Sequence, residues 1–259
     1  MKYDKSNPKY PCRTYDSLPH PEVYFDNNCT KCVLGNEYAV GGAGPDDLTK
    51  VKLIVISDHA GAYEAKEHYP QVPNSLVQFK RQTLIPRPRN SGQLLRDTIE
   101  ELFDLCTWSE VWITNAIRCD PNHKGNNVNI TERLLKVCAN SWLREEIDLL
   151  SKHAPTAPIL IAGSKALVSM QQLYKSDFPQ ERLDKLLRRN SYRFREHPLA
   201  FTLNPAIYAK SEPKLETRMG IHRGKLVVSG IQSLATLMPS PIQDFQKDFN
   251  WLNKYIPHF

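Results

Sequence analysis

Apolar residues are bunched in short runs along this chain, with longer mixed stretches between them. Residues 51–57, VKLIVIS, are apolar almost without a break, as in a strand of a parallel sheet buried on both faces. Residues 111–114, VWIT, residues 158–163, PILIAG, and the run LAFTL that leads to Asn204 and Pro205 repeat that signature. IHRGKLVVSG adds a candidate late strand.

Helical spacing fills the intervals. In SGQLLRDTIEELF the positions Leu94, Leu95, Ile99, Leu102 and Phe103 form one face, and Ser91 is placed to cap it. Thr131 is placed to cap a long helix in which Leu134, Cys138 and Trp142 recur every four residues, so Cys138 faces inward. Ser164 can cap the helix KALVSMQQLY, and a charged helix follows around ERLDKLLRR. Ile242, Phe245, Phe249, Leu252 and Ile256 share a face of a C-terminal helix over 241–256, which should pack on the sheet. Strand and helix alternate with no internal repeat, which predicts a three-layer α/β domain.

Two stretches lack periodicity. Residues 1–28, rich in Pro, Asn and Tyr, read as an extended arm, leaving 29–259 as a single domain. Residues 68–91 hold several prolines and the basic residues Lys80, Arg81, Arg87 and Arg89. A loop of that length is either solvated or a contact for a nucleic-acid backbone.

Composition narrows the picture moderately. With 259 residues and 41% apolar residues, the chain can bury a sizeable core. No run is long enough to cross a bilayer, and MKYDKSNPKYPCRTYD lacks the apolar stretch of a secretory signal. A cytoplasmic location with no membrane partner is the expectation. A net charge of +6 weakly favours an anionic partner.

Candidate chemistry lies in two places. Cys29 and Cys32 form a CxxC, and with Cys119 and Cys138 they could supply four thiolates to a metal or an iron–sulfur cluster. Cys138 fits an inert core position equally well, and Cys106 reads as a buried small hydrophobe. The second place is the carboxyl rim of the expected parallel sheet, where Asp58, Asn115, Ser164 and Asn204 follow the apolar runs. GGAG lacks the helix and Gly-Lys-Ser/Thr that a phosphate loop needs.

CTKCVLG, ISDHAGAYE, SGQLL, WITNAIRCDP, the helix bearing Cys138, ILIAGSKAL and FTLNPAIY, taken in this order, resemble the iron–sulfur-containing uracil-DNA glycosylases of the family-4 type. The resemblance runs from about residue 29 to about residue 210. It implies a central four-stranded parallel sheet between helices, with a uracil pocket and a DNA groove at the strand ends. It also implies that Cys29, Cys32, Cys119 and Cys138 hold a structural [4Fe–4S] cluster. Four thiolates suit structural zinc as well. The implied partner is DNA, with the single-stranded form a candidate, and the protein is expected to be a monomer.

Residue by residue, the first motif of the family falls on Ser57-Asp58-His59-Ala60-Gly61, with Glu64 at its downstream acidic place. Gly61 and Glu64 match, Asp58 keeps a carboxylate one methylene shorter, and His59 is new. His59 is either a rim histidine with an ordinary hydrogen bond or a replacement electrostatic group. Asn115 matches the residue that reads the uracil edge, since an amide can donate to a carbonyl oxygen and accept from the ring N–H. Arg87 stands where the family has a stacking phenylalanine; Tyr63 or Phe79 could supply a ring instead.

Asn204 replaces the histidine that stabilises the departing uracil anion. A well-placed donor of that kind is worth about 3–4 kcal/mol, so a weaker one costs two or three orders of magnitude in rate, roughly. The implied reaction is hydrolysis of the N-glycosidic bond of uracil or another modified pyrimidine in DNA. Asp58 or Glu64 would position water, Asn115 and Ser164 would lie against the base, and Asn204 would donate to it as it leaves. The rival expectation is a catalytically lapsed relative that binds DNA or protein.

Overall fold

The computed structural model describes residues 42, 44, 45, 47–59, 95, 99, 100, 103, 105, 109–119, 121, 129–187 and 192–204. The arm over 1–28, the basic loop over 68–91, the late strand and the helix over 241–256 lie outside the described residues.

Strands β1 (Leu53–His59), β2 (Val111–Ile117), β3 (Ile159–Ala162), β4 (Arg193–Phe194) and β5 (His197–Thr202) form one sheet in the order β2-β1-β3-β5-β4. β1 pairs in parallel with β2 and β3, and β3 in parallel with β5. Ser57 sits beside Asn115 on one side and Ala162 on the other, and Ala162 beside Thr202. One row of backbone therefore crosses all four parallel strands just below their carboxyl ends.

The sheet has five strands rather than the expected four. The extra strand, β4, runs antiparallel to β5, with Arg193 opposite Pro198 and Phe194 opposite His197. A two-residue strand has no alternation to detect, and its turn is carried by Arg195 at φ 54 rather than by the glycine or asparagine that usually signals one. Two limits also move. β1 continues through Asp58 and His59, and β2 continues past Asn115 to Ile117, so these residues belong to strands and not to the loops after them.

Alternate strand positions feed two apolar clusters, so both faces of the sheet are buried. Ile54, Ile56, Trp112, Ile159, Ile161, Leu199 and Phe201 pack with the helices α2 (Arg144–His153) and α3 (Ser164–Leu173). Leu53, Val55, Val111, Ile113, Leu160 and Ala200 pack with the helical residues Leu95, Ile99 and Phe103, the face read from SGQLLRDTIEELF. The short helix α4 (Leu183–Leu186) adds Leu186 to the first cluster.

α1 (Glu132–Cys138) begins as expected, with Thr131 Oγ1 accepting from Leu134 N at 3.2 Å. It passes into α2 through a π-turn over Ala139–Leu143. The wider turn shifts the buried stripe, so Trp142 and Leu143 are both inside. No helix among the described residues is long and apolar enough to cross a membrane.

Candidate functional site

The sheet order contains a reversal. From β1 the chain goes to β2 on one side and then to β3 on the other, so β1 and β3 flank a topological switch point. Such a point leaves a crevice outside the carboxyl ends of the strands, where ligands bind in open α/β sheets.

Asp58 stands at this switch point. Its Oδ1 accepts from the backbone N–H groups of Lys165 and Ala166, at 2.9 and 3.0 Å, at the start of α3. Its Oδ2 accepts from Asn204 Nδ2 at 2.8 Å. The carboxylate is buried and both oxygens are engaged. One side chain thus ties the ends of β1 and β5 to the helix after β3.

Ser164 was expected to cap α3, but Gly163 holds the N-cap position and makes no side-chain bond, while Ser164 is exposed in the first turn. Asp58 acts as the cap from a distant strand, satisfying donors that a helix leaves open at its start. Gly163 makes this possible. Its φ is 125°, and a Cβ there would collide with both carboxylate oxygens of Asp58. ILIAGSKAL reads as strand and then helix without assigning the glycine a role; its position between the two is the available signal.

Asn115 is almost wholly buried, two residues inside the end of β2. Being in register with Ser57, it projects from the face opposite to Asp58, which follows Ser57 in β1. The structure thus brings together Asp58, Asn204 and the start of α3, and holds Asn115 on the other face of the same rim. His59 ends β1 beside Ile117 and is half-buried. Gly61, Tyr63, Glu64 and Arg87 lie outside the described residues.

Next to this rim is a buried polar group that the sequence pattern did not single out. Glu146 accepts from Trp112 Nε1 at 2.8 Å, Thr114 Oγ1 at 2.8 Å and Arg118 Nη2 at 2.6 Å. The Arg118 guanidinium also lies over the Trp142 ring, 4.8 Å from its centroid. Gly42 and Gly44 bring their backbone so close that a Cβ on either would collide, with Glu146 and Trp112 at the first and with Trp112 at the second. The available signal is the four-residue stripe Leu134, Cys138, Trp142, which runs on to Glu146 and puts a carboxylate where an apolar side chain belongs.

Cys119 and Cys138 are both buried at this end of the molecule. Cys138 packs in a small cluster with Ile117, Leu134, Leu135 and Trp142, and Ile117 precedes Cys119 by two residues. Cys29 and Cys32 lie outside the described residues, and among the described residues no three His, Cys, Asp or Glu side chains gather as a metal site would require. Both described thiols are thus buried, and thiolates are the side chains that a tetrahedral zinc or an iron–sulfur cluster takes.

His197, followed by Pro198, opens β5 and stands at the amino end of the sheet. Its Nδ1 lies 2.7 Å from the Ala157 carbonyl, which can only accept, and its Nε2 lies 2.9 Å from Ser151 Oγ. A neutral ring with the proton on Nδ1 satisfies both. Burial holds its pKa below the usual histidine value, against the Ala157 hydrogen bond. It is a core histidine, remote from the carboxyl rim.

No protein-family model matches the chain, and no curated protein sequence matches it.

Proposed function

We propose that the chain is a DNA glycosylase-like protein that binds an extruded uracil or another modified pyrimidine at the carboxyl rim between β1 and β3. The observation that carries this reading is the Asp58–Asn204 bond across the switch point, at 2.8 Å. It closes one side of a crevice at the place where an α/β sheet receives a ligand. A base lying over the end of β1 would meet Asn115 from one face of the sheet and Asn204, held by Asp58, from the other. His59 and Ser164 would border the same opening, with Gly61, Tyr63 and Arg87 supplied by the segment after β1.

In the hydrolysis, the C1′–N bond breaks with its electron pair passing to the base, and water oxygen bonds to C1′. A carboxylate takes the water proton. Asp58 already accepts three hydrogen bonds, which leaves that work to Glu64, the other acid of the motif. Asn204 offers the departing base a neutral amide with one N–H already given to Asp58. Cys29, Cys32, Cys119 and Cys138 would hold a [4Fe–4S] cluster, or zinc, which would pin the N-terminal arm beside β2. DNA phosphates would meet the basic loop over 68–91.

A second reading, a relative that keeps base or DNA binding and has lost hydrolysis, is favoured by one specific observation. The carboxylate at the rim has both oxygens engaged by donors, and the residue facing it is an amide rather than an imidazole. Anaerobically purified protein is to be incubated with single- and double-stranded oligonucleotides carrying uracil, hypoxanthine or 5-substituted uracils, followed by alkali. Strand cleavage at the modified base supports the glycosylase. No product from the wild type, with product from Asn204→His, supports the lapsed relative. No product and no binding by either protein would overturn both.

A further inference from the structure

We infer that Asp58 is a positioning residue whose carboxylate fixes which way the Asn204 amide faces, and so sets the hydrogen-bond polarity of this side of the rim. The two ends of an amide differ by only one heavy atom, but their neighbours decide between them. A carboxylate oxygen can only accept, so it draws Asn204 Nδ2 and repels Oδ1. The amide carbonyl is thereby turned away from Asp58. Asp58 itself cannot swing aside, because its other oxygen is held by two backbone N–H groups of α3 and the residue is buried. Gly163 completes the restraint by leaving room for the carboxylate, which a Cβ there would displace.

The consequence concerns ligand choice. A group approaching Asn204 from the side away from Asp58 meets the amide with its orientation already set, and the preset carbonyl favours a ring N–H, as at N3 of uracil, over a ring nitrogen that only accepts, as at N3 of cytosine. Asp58 would then govern base choice without touching the base. This last step rests on the base-binding reading above; the control of the Asn204 amide does not.

Asp58→Asn separates the two roles of the carboxylate. Asparagine keeps an oxygen for the Lys165 and Ala166 N–H groups and is as good a cap as aspartate. Its own NH2 would then face Asn204, and two donors cannot pair, so Asn204 must turn over. Asp58→Ala removes both functions. The test is two-dimensional NMR of the deuterated full-length chain, with the Asn204 NH2 signal assigned by its absence in Asn204→Asp.

In Asp58→Ala, hydrogen exchange at the Lys165 and Ala166 backbone amides and at the Asn204 side-chain amide should quicken at least about ten-fold, as protected donors lose their acceptor. In Asp58→Asn the two backbone amides should stay protected while the Asn204 NH2 signal shifts and its exchange quickens. A merely structural cap would leave Asn204 unchanged in Asp58→Asn, and that result would overturn the inference. The second measurement is binding of single-stranded oligonucleotides containing one uracil or, in its place, one cytosine. The uracil-to-cytosine affinity ratio should fall about ten-fold in Asp58→Asn, because the turned amide presents a donor where the uracil N–H needs an acceptor. If the amide signals behave as expected and the ratio does not move, positioning by Asp58 stands and base binding at this rim is overturned.

Discussion

Arg118 Nη2 lies 2.6 Å from Glu146 Oε2, with side-chain exposures of only 3% and 0%. The carboxylate is further bonded by Trp112 and Thr114 of β2, so a single acid on α2 secures the strand whose end carries Cys119. Desolvating two charges is costly, and their mutual attraction offsets that cost only while both are present.

Glu146→Ala should therefore destabilise the fold by about 3–5 kcal/mol, because it removes the buried carboxylate that pairs with the Arg118 guanidinium. Urea unfolding followed by tryptophan fluorescence measures this directly. A loss below about 1 kcal/mol would mean that water reaches Arg118 and that the pair is not structural.

Gly163→Ala should be damaging out of proportion to one methyl group. The backbone at φ 125° is strained for any residue with a Cβ, by about 1–3 kcal/mol, and the added carbon would displace Asp58 from α3. Losing a cap contributes roughly another 0.5–2 kcal/mol. Circular dichroism melts of Gly163→Ala and Asp58→Ala should show the glycine variant as the less stable. Equal stabilities would mean that the carboxylate relocates without strain.

The sheet was legible because its strands are buried on both faces, and short continuous apolar runs such as VKLIVIS suit few other elements. Where the strands end was less legible. Asp58 and Asn115 look like loop residues, but each continues its strand: Asp58 finds donors in Lys165, Ala166 and Asn204, and Asn115 pairs in register with Ser57. The position of Asn204 at the rim was readable from LAFTLNP, whereas its bond to Asp58 spans 146 residues and depends on strand order, which no local pattern encodes. Glu146 was hidden for the opposite reason. Its partners Trp112 and Thr114 alternate along β2 and Arg118 follows the strand's end, and that spacing becomes informative only once α2 is known to cover that face.

If the four cysteines hold a cluster or zinc, the centre and the fold should be lost together, since binding free energy is then folding free energy. Anaerobically prepared, iron- and sulfide-replete protein should show broad visible absorbance that disappears on oxidation; a colourless zinc protein would not. Cys138→Ser should lower bound metal per chain to near zero and increase proteolysis of the N-terminal arm. Wild-type protein carrying no metal under replete conditions would sink this assignment.

The pH dependence of stability should carry the mark of His197. Its ring is buried between the Ala157 carbonyl and Ser151, and burial is the largest of the influences that place its folded pKa below the ordinary 6.5. The neighbouring Arg195 acts in the same direction, whereas the Ala157 hydrogen bond and Glu196 oppose it. Between the folded and unfolded pKa values the unfolded chain binds the proton and the folded chain does not, so stability rises with pH there. The contribution of His197 is fully present above the unfolded pKa and is lost progressively as pH falls from there through the folded pKa. One proton gives a slope of at most about 1.4 kcal/mol per pH unit. Urea titrations of the wild type and His197→Gln from neutral to mildly acidic pH isolate this term as the difference between their slopes. The wild type should lose stability faster on acidification, and identical slopes would show that the buried ring does not set the acid limb of this fold.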